Sequence, residues 1–301
     1  MNFLEALILG LIQGITEFIP VSSSGHLTLF GKVFDVDSSI MLSFTTLLHV
    51  GTLIAVFIVM RKDIKSILLD IFGKMTWLII IATIPAVIAA VLLGDLLDEL
   101  FAGGSLGYSF LMTGLILLST LMIKQDRSVH QAKLVRAASI QKDEISAEPF
   151  SDDCDNASEV TAINRSPKEI SYKEALIAGL GQAVAILPGI SRSGSTLATL
   201  LFCKIDRKKA VRFSFLMSIP AIAGGFLLDL IKMFGGETTA LTQLDPFVII
   251  IGIAAAFFSG WLAMNYMLKK LTAKGLLVFA IYVIILGLLV LIDQNWLHLV
   301  F

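Results

Sequence analysis

The chain has 301 residues, 56% of them apolar and only 16% charged, with a formal net charge of −1 and a mean hydropathy of +0.86. A soluble domain carries about 25% charged residues, so a solvated globular surface is excluded, and no basic stripe tracks phosphates as a nucleic-acid partner would require. Cys154 lies in a polar stretch and Cys203 at the end of an apolar one; they share no metal-ligand spacing and make no disulfide framework.

The first apolar stretch, 1–33, is interrupted by Pro20-Val21-Ser22-Ser23-Ser24-Gly25-His26. It is not expected to be a cleavable signal peptide, because it lacks a basic start, carries Glu5 inside its apolar run and has no small-residue cleavage site. Segments able to cross a bilayer, about 20 residues each, follow at 40–60, 77–94 and 106–123. The stretch 124–171 is hydrophilic. It is basic at its start (Lys124, Arg127, Lys133, Arg136) and acidic in its middle (Asp143, Glu144, Glu148, Asp152, Asp153), so it reads as a solvated cytoplasmic loop. A second broken stretch, 174–203, is interrupted at Pro188-Gly189-Ile190-Ser191-Arg192-Ser193-Gly194-Ser195-Thr196 and precedes spans at 211–231, 246–268 and 275–292.

The two halves repeat. Glu5-Ala6-Leu7-Ile8 recurs as Glu174-Ala175-Leu176-Ile177; at the same offset Gly10 meets Gly179, Gln13 meets Gln182, Ser22 meets Ser191, and Gly25 meets Gly194. Loop charge sets the orientation. The 61–74, 204–212 and 269–274 loops are rich in Lys and Arg and belong in the cytoplasm. The 34–39 loop, with Asp35 and Asp37, and the 95–105 loop, with Asp95, Asp98 and Glu99, belong outside. These sides agree only if each broken stretch returns to the face it entered from. The expected fold is an all-α polytopic membrane protein built as an inverted repeat. Residues 1–123 form one half, 124–171 the loop and 172–301 the other half; each half is a re-entrant helical hairpin (1–33 and 174–203) plus three spanning helices.

Irregular backbone at membrane depth is tolerated only when buried in protein or lining a wet cavity. Half-helices starting after each break aim N–H groups and positive dipole ends at the meeting point, which attracts an anion. The second break adds Arg192 among Ser191, Ser193, Ser195 and Thr196, a cradle for phosphate oxygens; Ser24 and Ser195 read equally well as helix-packing residues. The first break adds Glu17, with Gln13 four residues before it on the same helix face, and His26. Glu17 can ligate a divalent cation or act as a base; His26 can be nucleophile, general acid or ligand. His49, inside a span, has two readings: facing the same cavity, or hydrogen bonding to a neighbouring helix. His130 and His298 read as peripheral. Glu, His, Ser and Arg around an anion cradle suggest phosphoryl transfer, and a carboxylate beside phosphates suits Mg2+ or Ca2+.

Gln13-Gly14-Ile15-Thr16-Glu17-Phe18-Ile19-Pro20-Val21-Ser22-Ser23-Ser24-Gly25-His26 resembles the first signature of the bacterial undecaprenyl pyrophosphate phosphatases of the bacitracin-resistance type, and Pro188 to Thr196 resembles the second. His49-Val50-Gly51-Thr52 and Arg207 to Pro220 are also similar to that family. The resemblance spans the chain except 124–171. It implies hydrolysis of undecaprenyl diphosphate to the monophosphate and phosphate, recycling the carrier lipid for peptidoglycan synthesis and conferring bacitracin resistance. It also implies a divalent cation, a site open to the periplasmic side of the inner membrane, and functional roles for Gln13, Glu17, Ser23, His26, Ser191, Arg192 and Thr196. Gln13 stands where some members carry Glu, which makes Glu17 the indispensable carboxylate.

The expected mechanism has Arg192, Ser193 and the other hydroxyls hold the diphosphate and Glu17 hold the cation, while His26 attacks phosphorus or protonates the bridging oxygen, with Ser191 as another nucleophile. The expected partners are the isoprenoid diphosphate and membrane lipids, with a second copy of the chain as the candidate protein partner. Two other functions compete with this one. The phosphatidic-acid-phosphatase type needs a histidine six residues after its arginine, where this chain has Ala198. A transporter or flippase of a lipid phosphate or other anion fits the same inverted repeat.

Overall fold

The computed structural model describes residues 1–93, 104–123, 168–234 and 244–301. Asp95, Asp98 and Glu99, and most of the 124–171 loop with His130 and Cys154, lie outside the described residues. In chain order the helices are α1 (Phe3–Phe18), α2 (Ser23–Val33), α3 (Ser38–Val59), α4 (Arg61–Leu69), α5 (Lys74–Leu92), α6 (Leu106–Leu121), α7 (Tyr172–Val184), α8 (Arg192–Phe202), α9 (Arg207–Phe234), α10 (Pro246–Lys270) and α11 (Ala273–Ile292), closed by a π-helical turn (Asp293–Leu297). Five are long and apolar enough to cross a membrane: α3, α5, α9 through Leu227, α10 and α11. α6 is apolar but shorter, at 16 residues. The chain is an all-α polytopic membrane protein.

Two basic loops expected from charge are largely helical. Residues 61–69 form α4, and Arg207, Lys208, Lys209 and Arg212 belong to the first turns of α9. Lys and Arg are good helix formers, so α4 carries Arg61, Lys62 and Lys65 together with the exposed Leu68 and Leu69.

The repeated Glu-Ala-Leu-Ile has a local cause. The Glu5 carboxylate accepts from Asn2 N–H at 2.7 Å while Asn2 Oδ1 accepts from Glu5 N–H at 2.9 Å, a capping box that starts α1. Ser171 and Glu174 repeat it at the start of α7.

The halves exchange packing partners. α1 lies along α10, with Gly10 and Gly14 so close to Gly252, Ala256 and Ser259 that a Cβ would overlap them. α7 lies along α5, with Gly179 against the Ala82 backbone. α6 pairs with α11 through Gly107, Gly114 and Gly287. Small residues permit this approach in lipid, where helix association rests on close contact. The outward faces stay apolar, with Ile84, Ile88 and Val91 exposed on α5 and Val278, Ile285 and Leu289 on α11. Ion pairs gather the basic segments: Arg212 with Asp63, Lys74 with Glu169 at 3.3 Å, and Lys168 with Glu174 at 2.7 Å. Elsewhere Phe3 stacks on Phe247 at 6.2 Å and Lys32 lies over the Phe301 ring at 4.6 Å.

Candidate active site

Each apolar hairpin breaks for a few residues, and its second helix restarts on a serine cap. Ser22 Oγ accepts from Gly25 N–H at 3.3 Å and Ser191 Oγ from Gly194 N–H at 3.0 Å. Ser23 and His26 therefore lie in the first turn of α2, and Arg192, Ser193 and Thr196 in the first turns of α8. The turns meet. Gly189 N–H donates to Ser24 Oγ at 3.4 Å, and Ser193 Oγ–H to the Ile19 carbonyl at 3.4 Å. Gly189 has φ +82°, open to glycine, and a Cβ there would press on Ser109 of α6. Thr113 of α6 ties the second turn, donating to the Gly189 carbonyl at 3.3 Å and accepting from Ser191 N–H at 3.0 Å.

Glu17 sits at the junction, 6% exposed. Its Oε1 accepts from Arg192 Nη2 at 2.7 Å; its Oε2 accepts from Ser23 Oγ–H at 2.6 Å and Gln13 Nε2 at 3.2 Å, with His49 Nε2 at 3.8 Å. Four helices thus converge on one carboxylate, and a buried charge needs such pairing. A cavity of about 210 Å³ opens beside it, lined by Glu17, Ser23, His49, Ser191, Arg192 and Ser193, with Ile222 and Phe226 of α9 forming an apolar wall. Arg192 Nη1 is buried and has no hydrogen-bond partner among the described residues. A guanidinium with one nitrogen on a carboxylate and the other unpartnered is ready to grip an anion.

His49 faces the cavity, as one of its two readings had it. Its Nδ1 donates to the Thr45 carbonyl at 2.8 Å, which turns Nε2 toward Glu17. Ser191 and Ser193 line the cavity. Gln13 is fully buried and reaches the site only through Glu17. Thr196, also fully buried, bonds the Arg192 carbonyl at 2.9 Å and Ser214 Oγ at 2.6 Å; it braces α8 and does not line the cavity. His26 lies apart from the cavity lining as well. Its Nδ1 is 2.7 Å from the Ser22 carbonyl and its Nε2 2.7 Å from the Tyr282 hydroxyl. Thr113 and Tyr282 escaped the sequence reading, since one hydroxyl inside an apolar helix carries no signal of its partner.

The donors suit a hard cation. The Glu17 carboxylate supplies hard oxygen donors, with Gln13 Nε2 turned toward it at 3.2 Å and Gln13 Oε1 buried and unpartnered among the described residues. No three His, Cys, Asp or Glu gather there among the described residues, so phosphate oxygens and water would complete the shell.

A bundle of helices long and apolar enough to cross a membrane, enclosing a carboxylate, a guanidinium and serine hydroxyls at two helix N-termini, defines a polytopic membrane protein with a charged cavity among its helices. The family model described as bacitracin resistance protein BacA matches residues 6–289, and the chain belongs to that family. Among curated relatives, undecaprenyl-diphosphatase 3 of Bacillus cereus is 37% identical over 295 residues, covering 98% of both chains. The undecaprenyl-diphosphatase of Carboxydothermus hydrogenoformans is 36% identical with the same coverage. That of Bacteroides thetaiotaomicron is 36% identical over 98% of this chain and 100% of its own length.

Proposed function

We propose that this chain is an integral-membrane undecaprenyl-diphosphatase. It hydrolyses undecaprenyl diphosphate to undecaprenyl phosphate and inorganic phosphate, returning the carrier lipid to peptidoglycan synthesis and protecting the cell against bacitracin. The observation that carries this reading is the junction itself: Glu17 bonded at once to Arg192 and Ser23 in a cavity polar on one side and apolar on the other.

Arg192 Nη1, with Ser191 and Ser193, holds the diphosphate. The hydroxyl best supported as nucleophile is Ser23, because it lines the cavity and already donates to a carboxylate at 2.6 Å. His26, with both ring nitrogens bonded and its ring outside the cavity lining, is less well supported, and Ser191 Oγ is committed to its helix cap. Ser23 Oγ attacks the terminal phosphorus while Glu17 Oε2 takes its proton. The bond to the bridging oxygen breaks, and undecaprenyl phosphate leaves with the electron pair. Water then attacks the phosphoserine, Glu17 returns its proton to Ser23 as the serine–phosphorus bond breaks, and both water protons leave on the departing dihydrogen phosphate. A divalent cation, Mg2+ or Ca2+, would be held by Glu17 and would supply positive charge to the phosphate oxygens.

The two halves form an inverted repeat in the inner membrane, with the site open toward the periplasm. The exchanged packing of α1 on α10 and α7 on α5 supports this arrangement. The substrate lipid and the bilayer are the partners it requires. Both hairpins come from one chain, so a second copy is not needed to complete the site.

The test is phosphate release by purified protein in detergent micelles, where transport has no meaning. Wild type releases phosphate and Ser23→Ala does not. A protein that moves lipid phosphate without hydrolysing it, the reading that the exchanged halves also suit, would release none in either form.

A further inference from the structure

The two helix-capping serines are built differently. Ser191 has φ −73° and ψ 115°, ordinary extended backbone. Ser22 has φ +72° and ψ 99°, a region that residues with a Cβ rarely occupy. Such a conformation persists only when its surroundings hold it. Four residues after Ser191 stands Ser195, whose hydroxyl is buried with no partner among the described residues. Four residues after Ser22 stands His26, 2% exposed and bonded at both ring nitrogens. His26, where the other turn has Ser195, thus grips the strained turn.

A carbonyl oxygen only accepts, so the 2.7 Å contact with Ser22 O makes Nδ1 the protonated nitrogen of the neutral ring. Nε2 is then the acceptor, and the Tyr282 hydroxyl donates to it at 2.7 Å. The Tyr282 ring stacks on His26 at 5.7 Å and 19°, and Phe110 meets the imidazole edge-on at 5.3 Å. Tyr282 comes from α11, in the other half of the chain, and is itself half-exposed. The chain of contacts runs from Tyr282 through His26 to the Ser22 carbonyl, one residue before Ser23.

We infer that Tyr282 and His26 are a positioning pair that locks the left-handed Ser22 turn and so aims the Ser23 hydroxyl, an inference that rests on Ser23 being the attacking group. Tyr282 fixes the imidazole ring, the ring fixes the turn, and the turn fixes the nucleophile against Glu17. Misplacing a nucleophile lowers turnover without loosening the grip on substrate, which belongs to Arg192.

The experiment uses full-length protein in micelles, undecaprenyl diphosphate as substrate, and separate kcat and KM values. Tyr282→Phe, which removes one hydroxyl and keeps the stacked ring, lowers kcat about tenfold with KM unchanged. His26→Ala lowers it about 10²-fold. His26→Asn restores at least a tenfold part of that loss, because an amide nitrogen takes the place of Nδ1 on the Ser22 carbonyl. In the His26→Asn protein, Tyr282→Phe adds less than about twofold, since its partner atom is gone. His26→Asn as inactive as His26→Ala, or Tyr282→Phe turning over like wild type, overturns the positioning pair. Full activity in Ser23→Ala instead overturns the assignment of the nucleophile, whatever the other variants do.

Discussion

Replacing Glu17 by Gln keeps the shape of the side chain and removes its charge. The wild-type carboxylate accepts from Arg192 at 2.7 Å and from Ser23 at 2.6 Å, both in a site 6% exposed. On the proposed mechanism, losing the group that takes the Ser23 proton costs about 10²–10⁴ in rate. The variant also strands Arg192, whose side chain is 17% exposed. Breaking a buried pair by removing one partner costs about 3–5 kcal/mol, and the adjoining cavity, which admits water, puts this case at the lower end, about 3 kcal/mol. Glu17→Gln should therefore show kcat down about 10³-fold in a phosphate-release assay. Its thermal midpoint in detergent should fall, with elution from a sizing column unchanged. KM should change far less than kcat, because the proposed mechanism leaves the grip on the diphosphate to the guanidinium. A Glu17→Gln protein within tenfold of wild-type kcat would refute the assignment of this carboxylate as the base.

Thr113→Val removes a side chain that bonds both Gly189 and Ser191, leaving the Ser191 N–H buried without that partner; kcat should drop about tenfold or more, read by the same assay. Gly14→Val drives side-chain carbons into the Ala256 backbone and Ser259 of α10; separation of α1 from α10 should cost about 3 kcal/mol or more and appear as lost monodisperse protein after extraction. At the start of α7, Lys168 and the Ser171 hydroxyl hold the Glu174 carboxyl down at about 2. A carboxyl depressed in the folded state stabilises above its unfolded value and loses that contribution as pH falls through the folded one. Glu174→Gln should therefore lower thermal stability by about 1 kcal/mol at pH 7, with the gap to wild type closing between pH ~4.5 and ~2.

Much of this protein was legible from its sequence. Long apolar runs must be helices where no water can satisfy the backbone, and α3, α5, α10 and α11 fall within a few residues of the expected spans. The two serine- and glycine-rich breaks named Glu17, Ser23, Ser191, Arg192 and Ser193, because polar groups at membrane depth are expensive unless they have work to do. The basic loops were less legible: Lys and Arg mark a side of the membrane but favour helix as readily as loop, hence α4 and the early start of α9.

What the sequence by itself determined was therefore the helices, the breaks and the chemistry concentrated in them, since hydropathy and the need to pair backbone groups act locally. Only the tertiary structure decided which of those polar groups share one carboxylate. It brought Arg192 to Glu17 across 175 positions of chain, turned His49 inward and set His26 against Tyr282. Partners so distant are chosen by how glycine-faced helices fit together, and no local pattern records that fit.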